Sequence, residues 1–154
     1  GTKKYAWEYD VIKVSGKHQM NDIAAAIGLV QLKKLPGTNA RRAAITRRYN
    51  QAFKIISWIT VPILKPWAKS SHHNYVIKVD PKIRNRLIDY LAKKHISTSV
   101  HYIPSHHYRL YSKFKTKLPI TDQVWRQIIL LPIFPDLSQS DQNRVVKAIS
   151  NFKP

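Results

Sequence analysis

Residues 15–35 read SGKHQMNDIAAAIGLVQLKKL, a short polar and basic segment that runs directly into an alanine-rich apolar segment. In the second half, Met20, Ile23 and Ile27 recur at nearly helical spacing, with small residues between them. Small side chains let a neighbouring helix or subunit approach closely, so this pattern predicts a close-packed helix. The basic first half, around Lys17, has the composition of a segment that is held against an anion.

The ends of this helix also have sequence signals. Asn21 or Asp22 can cap its N-terminus, and Pro36-Gly37 predicts its end. A second helix is predicted from about residue 39 to residue 56, with apolar positions near one side.

The rest of the chain predicts a mixture of strands and helices. We expect strands at residues 11–14, 74–79 and 97–102, helices at 81–94 and 121–129, extended stretches at 58–67 and 131–135, and a last helix that begins at the cap-like Ser138-x-x-Asp141. Strands that alternate with helices favour an α/β or α+β domain.

Composition limits the classes of function. The 154 residues, 44% of them hydrophobic, suffice for one domain with a core. Cysteine is absent, which excludes thiolate catalysis, disulfides and cysteine-based zinc sites within this chain. With no membrane-length apolar run and no leader-like start, we expect a cytoplasmic location and no membrane partner.

The formal charge of +19 comes from 27 Lys and Arg against 8 Asp and Glu. Such a charge attracts polyanions, whether nucleic acid, anionic lipid or phosphorylated small molecules. The basic residues are spread from Lys3 to Lys153, however, which also fits a lysine-rich solvated surface. Charge alone leaves these alternatives open.

Five of the seven histidines fall in two groups, His72-His73 and His101, His106 and His107. A metal site needs converging imidazoles and commonly a carboxylate. Adjacent histidines on a strand point to opposite faces, so each pair could offer at most one ligand to a given site. We therefore predict no metal site and interpret the histidines as lining a polar cleft or paired locally.

The segment HYIPSHHYRLY, residues 101–111, has the composition of a cleft wall. Its rings can stack on a ligand and its cations can pair with a sugar phosphate or a nucleotide phosphate. The same composition suits single-stranded nucleic acid, and residue types alone do not separate the two. Elsewhere we find no GxSxG motif, no glycine-rich phosphate loop and no paired carboxylates, so no catalytic machinery is evident.

The order of several segments is more specific than any one of them. The stretch that begins WEYDVIKVSGKHQMNDIAAAIGLVQLKKL is followed by ARRAAITRRYN, SHHNYVIKV, HISTSVHYIPSHHYRLY and LPIFPDLSQSDQNRVVKAI. Together they closely resemble the C-terminal part of the DegT/DnrJ/StrS-type sugar aminotransferases, pyridoxal-phosphate enzymes that transaminate keto-sugars attached to nucleotides. His101, Pro104 and His106 fit the family pattern H-[FY]-x-P-x-H, and Leu131 and Pro132 fit L-P-[LI]-x-P.

The resemblance implies the C-terminal small domain of the aspartate-aminotransferase-like (type I PLP) fold, an α/β (α+β) domain. Residues 1–37 would form a cofactor-proximal loop and a dimer-interface helix, and residues 38–154 the C-terminal α/β domain. Family members carry the Schiff-base lysine in an N-terminal domain, and no lysine of this chain matches that position. We therefore assign no catalytic residue and expect the chain to be inactive alone.

In such enzymes the loop before the alanine-rich helix reaches the cofactor phosphate of a neighbouring subunit. The resemblance thus assigns Lys17 to the phosphate of pyridoxal 5'-phosphate, with His18 and Gln19 beside the cofactor or substrate. It also places five residues at the wall of the nucleotide-sugar entrance: His101, Tyr102, His106, His107 and Arg109.

The resemblance also implies the partners. They are the N-terminal half of the aminotransferase or a second subunit of a homodimer, a nucleotide-sugar substrate and an amino donor such as glutamate. The implied role is amino-sugar synthesis for cell-surface polysaccharide or lipopolysaccharide. The alternative is a catalytically inactive basic remnant that binds polyanions, either nucleotide-sugars or, less favoured, nucleic acid.

Overall fold

The computed structural model describes residue 16, residues 20–114 and residues 116–154. The chain divides into two compact units between Leu35 and Pro36. The elements follow one another as helix α1 (Asp22–Phe53), strand β1 (Tyr75–Lys78), helix α2 (Pro81–Lys93), two 3₁₀ turns (Ser105–His107 and Arg109–Phe114), helix α3 (Pro119–Gln127), strand β2 (Ile128–Leu131) and helix α4 (Gln139–Ser150).

Helix α1 is one continuous helix with Pro36 inside it. The two helices predicted from the sequence are therefore a single helix, and the end predicted at Pro36-Gly37 is wrong. A proline in a helix interior removes one backbone hydrogen bond and costs about 3 kcal/mol. The buried side chains of α1, among them Tyr49 and Phe53, all lie in the half of the helix that follows Pro36.

Helices α1 and α4 begin at the capping side chains that the sequence predicted. The Asn21 side-chain oxygen accepts a hydrogen bond from the backbone N–H of Ala24 at 2.8 Å, which caps α1. The Ser138 hydroxyl oxygen accepts one from the backbone N–H of Asp141 at 3.0 Å, so the predicted cap of α4 is confirmed.

The sheet of the second unit is a two-stranded antiparallel pair. Tyr75 lies opposite Leu131 and Lys78 lies opposite Ile128, which fixes the register of β1 and β2. The strand predicted at residues 74–79 is confirmed as β1. Helices and a small antiparallel sheet make this an α+β unit, as predicted.

The strand predicted at residues 97–102 is wrong. That segment contributes only one bridge, between Ser99 and Leu130. The partner of β1 is instead residues 128–131, which take in the last two residues of the helix predicted at 121–129 and the first residue of the extended stretch predicted at 131–135. These four residues are a continuous apolar run, and burial in the core favours pairing them with β1 over continuing the helix.

The segment at residues 58–67 was predicted to be extended and not a central strand. No helix or strand is present in it, and Thr60 forms a single bridge with Lys78 at the free edge of β1. The two prolines of the segment, which lack a backbone N–H, explain why pairing stops there.

The core lies between the sheet and the helices of the second unit. An aromatic group forms its centre, with ring centroids 4.9 Å apart for Tyr49 and Tyr75 and 5.4 Å apart for Tyr49 and Phe53. Helices α2 and α4 add aliphatic side chains at helical spacing, as the sequence predicted, namely Ile83, Leu87, Leu91, Val145 and Ile149. No helix in the described part of the chain is long and apolar enough to cross a bilayer.

Candidate functional site

The predicted cofactor side of the site falls on residues that the structure does not describe. Lys17, His18 and Gln19 lie outside the described residues, as does the predicted strand at residues 11–14. Their assignments stay predictions.

The helix that follows this loop exposes its apolar side chains. Between residues 20 and 35, seven large apolar side chains are at least 45% exposed: Met20, Ile23, Ile27, Leu29, Val30, Leu32 and Leu35. At 100° per residue the positions that lie in α1 cover more than one side of the helix, and a helix that is apolar on most sides is normally buried. Exposed apolar surface of this extent marks a candidate contact surface.

The predicted cleft wall contains a histidine–carboxylate cluster. His106 and His107 lie in the first 3₁₀ turn, and each brings its Nε2 atom to the same Oδ1 atom of Asp122, at 2.8 Å and 2.7 Å. Asp122 lies in the first turn of α3, which comes after the second 3₁₀ turn in the chain. We call these three residues the His106–His107–Asp122 cluster.

The prediction that each pair of adjacent histidines offers at most one ligand to a given site is wrong for this pair. That prediction assumed a strand, in which neighbouring side chains point to opposite faces. Residues 105–107 instead form a 3₁₀ turn, in which neighbours are about 120° apart. The two imidazoles can therefore tilt toward one acceptor, and their ring centroids are 4.3 Å apart.

Hydrogen bonds set the charge state of the cluster. The hydrogen bond from His107 is the largest cause of a pKa of Asp122 below its usual value. Desolvation opposes it, and the hydrogen bond from His106 and the electrostatic attraction to both histidines lower the pKa further. The carboxylate is therefore ionised at neutral pH and can only accept, so both Nε2 atoms carry a hydrogen. The side chain of His106 is the most buried of the three, at 12% exposed.

The other predicted wall residues do not join this cluster. The rings of His101 and Tyr102 stack on each other, with centroids 4.6 Å apart and planes 9° apart, and they line a shallow pocket that also includes Trp125. The ring of Trp125 lies 5.3 Å from that of His107, so it connects the stacked pair with the cluster. Arg109 is exposed in the second 3₁₀ turn and does not line the pocket of either group.

Sequence reasoning missed two residues of this wall, Asp122 and Trp125. Asp122 is the one acidic residue between Asp89 and Asp136, which is the signal that could have identified it as the partner of basic side chains. Its pairing with histidines 15 and 16 positions earlier depends on the 3₁₀ turn, which residue types did not indicate.

A separate pocket was also not predicted. It lies beside the second half of α1 and is lined by Arg47, Asn50, Ser70, His72 and Tyr75, among others. The Tyr75 hydroxyl donates a hydrogen bond to Oδ1 of Asn50 at 2.8 Å. An arginine and several neutral polar groups at one pocket could hold an anionic group.

Comparison with known proteins identifies the fold. Residues 1–150 match the DegT/DnrJ/EryC1/StrS aminotransferase family. The spore coat polysaccharide biosynthesis protein SpsC of Bacillus subtilis is 33% identical to this chain over 96% of the chain and 40% of its own length. The chain therefore spans about two fifths of the length of the curated relatives it matches.

Solved structures agree with this assignment. Helicobacter pylori PseC, an aminotransferase involved in the biosynthesis of pseudoaminic acid, superposes with a TM-score of 0.83 at 28% identity, over 97% of this chain and 42% of that one. Bacillus subtilis NtdA with bound cofactor PMP gives a TM-score of 0.79 at 26% identity, over 86% and 32% of the two chains. The second unit has the fold of the C-terminal small domain of type I PLP enzymes. The chain belongs to the DegT/DnrJ/EryC1/StrS aminotransferase family.

Proposed function

We propose that this chain is the C-terminal portion of a pyridoxal-phosphate-dependent aminotransferase that acts on nucleotide-linked keto-sugars in the cytoplasm, for synthesis of cell-surface polysaccharide. Its contribution is a loop that reaches the cofactor phosphate of another polypeptide, together with one wall of the substrate cleft. The observation that carries this proposal is the exposed apolar surface at residues 20–35, in a family member that spans about two fifths of its relatives.

The exposed surface supports a shared site because of where it lies in the sequence. The segment directly follows Lys17, which the family pattern assigns to the cofactor phosphate. If another polypeptide covers the helix, the loop is held at that polypeptide's surface. A lysine suits this position because its ammonium group is a compact point charge for a phosphate dianion.

The catalytic groups would come from two polypeptides. When bound, pyridoxal phosphate supplies the amino-group carrier and electron sink of transamination. This chain would bind the phosphate through Lys17, with His18 and Gln19 beside the cofactor, while the lysine that forms the imine would come from the N-terminal half. An amino donor such as glutamate completes the reaction.

The substrate wall would combine two kinds of contact. The stacked rings of His101 and Tyr102, with Trp125 beside them, offer flat apolar faces for a sugar or a base. The exposed Arg109 supplies hydrogen-bond donors for hydroxyl or phosphate oxygens, and the Nδ1 atoms of His106 and His107, whose Nε2 atoms bond to Asp122, can accept hydrogen bonds from sugar hydroxyls. This combination is the reason to favour a nucleotide-sugar over an unsubstituted sugar.

The test is reconstitution with an N-terminal half of a family member that carries the imine lysine. Amino transfer from glutamate to a nucleotide-linked keto-sugar is followed in the two halves separately and mixed. We expect turnover only in the mixture, with the cofactor absorbance changing at the same time. If the mixture shows no gain over the N-terminal half alone, the proposal fails.

The formal charge of +19 supports a second candidate, a polyanion-binding module without catalysis. In that case retention on immobilised nucleic acid or nucleotide-sugar would fall steeply with salt, and pyridoxal phosphate would not change it. The aminotransferase proposal predicts instead that the cofactor, in the presence of the N-terminal half, strengthens retention on the immobilised nucleotide-sugar, because the two occupy one site together.

A further inference from the structure

We propose that the His106–His107–Asp122 cluster binds one divalent transition-metal ion, with Zn²⁺ preferred. The three donor atoms all lie within 4.8 Å of one another. They come from two separate elements, a 3₁₀ turn and the first turn of α3, that the fold already brings together. This inference does not depend on the proposed transamination, in which Asp122 has no role.

The geometry is close to that of a metal coordination sphere. The two Nε2 atoms lie 2.8 Å and 2.7 Å from Oδ1 of Asp122. In a tetrahedral zinc site, with metal–ligand distances of about 2.0–2.2 Å, neighbouring ligand atoms are about 3.3 Å apart. Side-chain rotation that moves each Nε2 atom roughly half an ångström farther from the carboxylate oxygen would therefore make room for the ion.

The donor set selects the class of metal. Two imidazole nitrogens and one carboxylate oxygen suit Zn²⁺, Ni²⁺ or Cu²⁺, whereas Mg²⁺ and Ca²⁺ prefer oxygen ligands alone. Three protein ligands leave at least one coordination position for water or another small ligand. To coordinate through Nε2, each imidazole has to carry its hydrogen on Nδ1 instead of Nε2.

The surroundings of the cluster indicate what would occupy the open position. The three residues line an open pocket together with Thr116, Lys117, Leu118 and Pro119. The ammonium group of Lys117 weakens the attraction for a bare cation, but it favours a metal that also carries an anionic ligand. We expect the ion to bind more tightly in the presence of a small carboxylate or phosphate.

A bound ion would also fasten two elements together. It would link the first 3₁₀ turn with α3, across a stretch that otherwise contains exposed apolar side chains such as Leu110 and Phe114. Because the ion binds only the folded arrangement, its binding free energy adds to stability.

The experiment titrates the whole 154-residue chain with Zn²⁺ by calorimetry and with Co²⁺ by visible absorption. We expect one ion per chain, cobalt bands of a four- or five-coordinate site that Zn²⁺ displaces, and a higher melting temperature with metal. Asp122→Asn and His107→Gln should each weaken binding at least about tenfold and remove the thermal shift. Far-UV circular dichroism checks that both variants fold. If Asp122→Asn does not fold, His107→Gln, at a more exposed position, still tests the site.

The matched control is His73→Gln, which alters the other adjacent histidine pair and should leave binding unchanged. Absence of saturable one-to-one binding would overturn the proposal. So would a loss of binding in His73→Gln together with retention in His107→Gln, since that result would place the ion at the His72-His73 pair.

Discussion

Two buried tyrosines make the free energy of unfolding depend on pH in alkaline solution. The Tyr49 hydroxyl donates to the backbone oxygen of Pro132 at 3.0 Å, and the Tyr75 hydroxyl donates to Asn50. Burial raises the pKa of both phenols well above the usual value of about 10, and the nearby Tyr75 raises that of Tyr49 further. Folding therefore holds these two protons more tightly than the unfolded chain does.

The sign of the effect follows from this difference in pKa. The stabilisation from the two phenols is complete below about pH 10, the pKa in the unfolded chain, and is lost as the pH rises from there toward the folded-state pKa. We predict that the free energy of unfolding falls above about pH 10, by up to about 1.4 kcal/mol per pH unit for each tyrosine.

Urea unfolding between pH 8 and 11.5 measures this loss. Tyr75→Phe should flatten the alkaline decline, because one of the two protons is no longer involved. Tyr108→Phe, at an exposed position, should leave the decline unchanged. If the free energy of unfolding declines equally in the wild type and in Tyr75→Phe, other groups, such as lysines, cause the loss of stability at alkaline pH.

At the histidine–carboxylate cluster, the composition of residues 101–111 and the family resemblance both indicated His106 and His107, but not their arrangement. Their common partner Asp122 was missed, because convergence requires a 3₁₀ turn that brings both rings to one oxygen. Turn geometry of this kind depends on the packing of α3 against the turn, and a single sequence does not show that packing.

At the scale of elements, the end of α2 carries a residue in an unfavourable conformation. His95 has φ of 56°, in the left-handed region. Its N–H donates to the carbonyl oxygen of Ala92 at 2.9 Å, and the N–H of Ile96 donates to that of Leu91 at 3.0 Å. This is the Schellman arrangement, whose left-handed position is most often glycine.

We predict that His95→Gly stabilises the chain by about 0.5–1 kcal/mol, since glycine adopts this conformation without a steric penalty. Thermal and urea unfolding measure the change. Lys94→Gly is the matched control one residue earlier, where φ is −94°, and it should destabilise or have no effect. If His95→Gly is less stable than the wild type, the left-handed strain is not the dominant energy at this position.

Elements with complete local signals were predicted well from the sequence. Helices α2 and α4 have proper caps and apolar residues at helical spacing, and both were found where expected. The error at β2 has a physical cause: tertiary packing outweighed a local preference for helix in residues 128–129. The continuation of α1 through Pro36 overrode the local preference for a break at proline.

For the whole molecule, an apolar helix surface and a large positive charge point to a partner. Residues 20–35 expose apolar side chains, while the second unit has its own buried core. The sequence suggested the interface role of this segment only through the family resemblance, because small and apolar residues at helical spacing fit an internal core equally well. Their observed exposure supports the proposed contact, and the interface role stays a prediction.

Loss of Lys17 tests the cofactor contact within the reconstituted enzyme. We predict that Lys17→Met weakens retention of pyridoxal phosphate at least about tenfold, because one charge-assisted bond to the phosphate is lost. Lys65→Met, at an exposed position in the second unit, is the control and should retain the cofactor. Equilibrium dialysis against the free cofactor gives both affinities, and equal values for the two variants would remove Lys17 from the phosphate site.

The most direct measurement is association of this chain with an N-terminal half, followed by sedimentation velocity. We predict a complex with the wild type and with Ile63→Glu, a control at an exposed site in the second unit. Ile27→Glu should weaken the complex at least about 100-fold, because it buries a charge in an apolar interface. Absence of a wild-type complex, or equal association of Ile27→Glu and Ile63→Glu, would contradict a shared site built on residues 20–35.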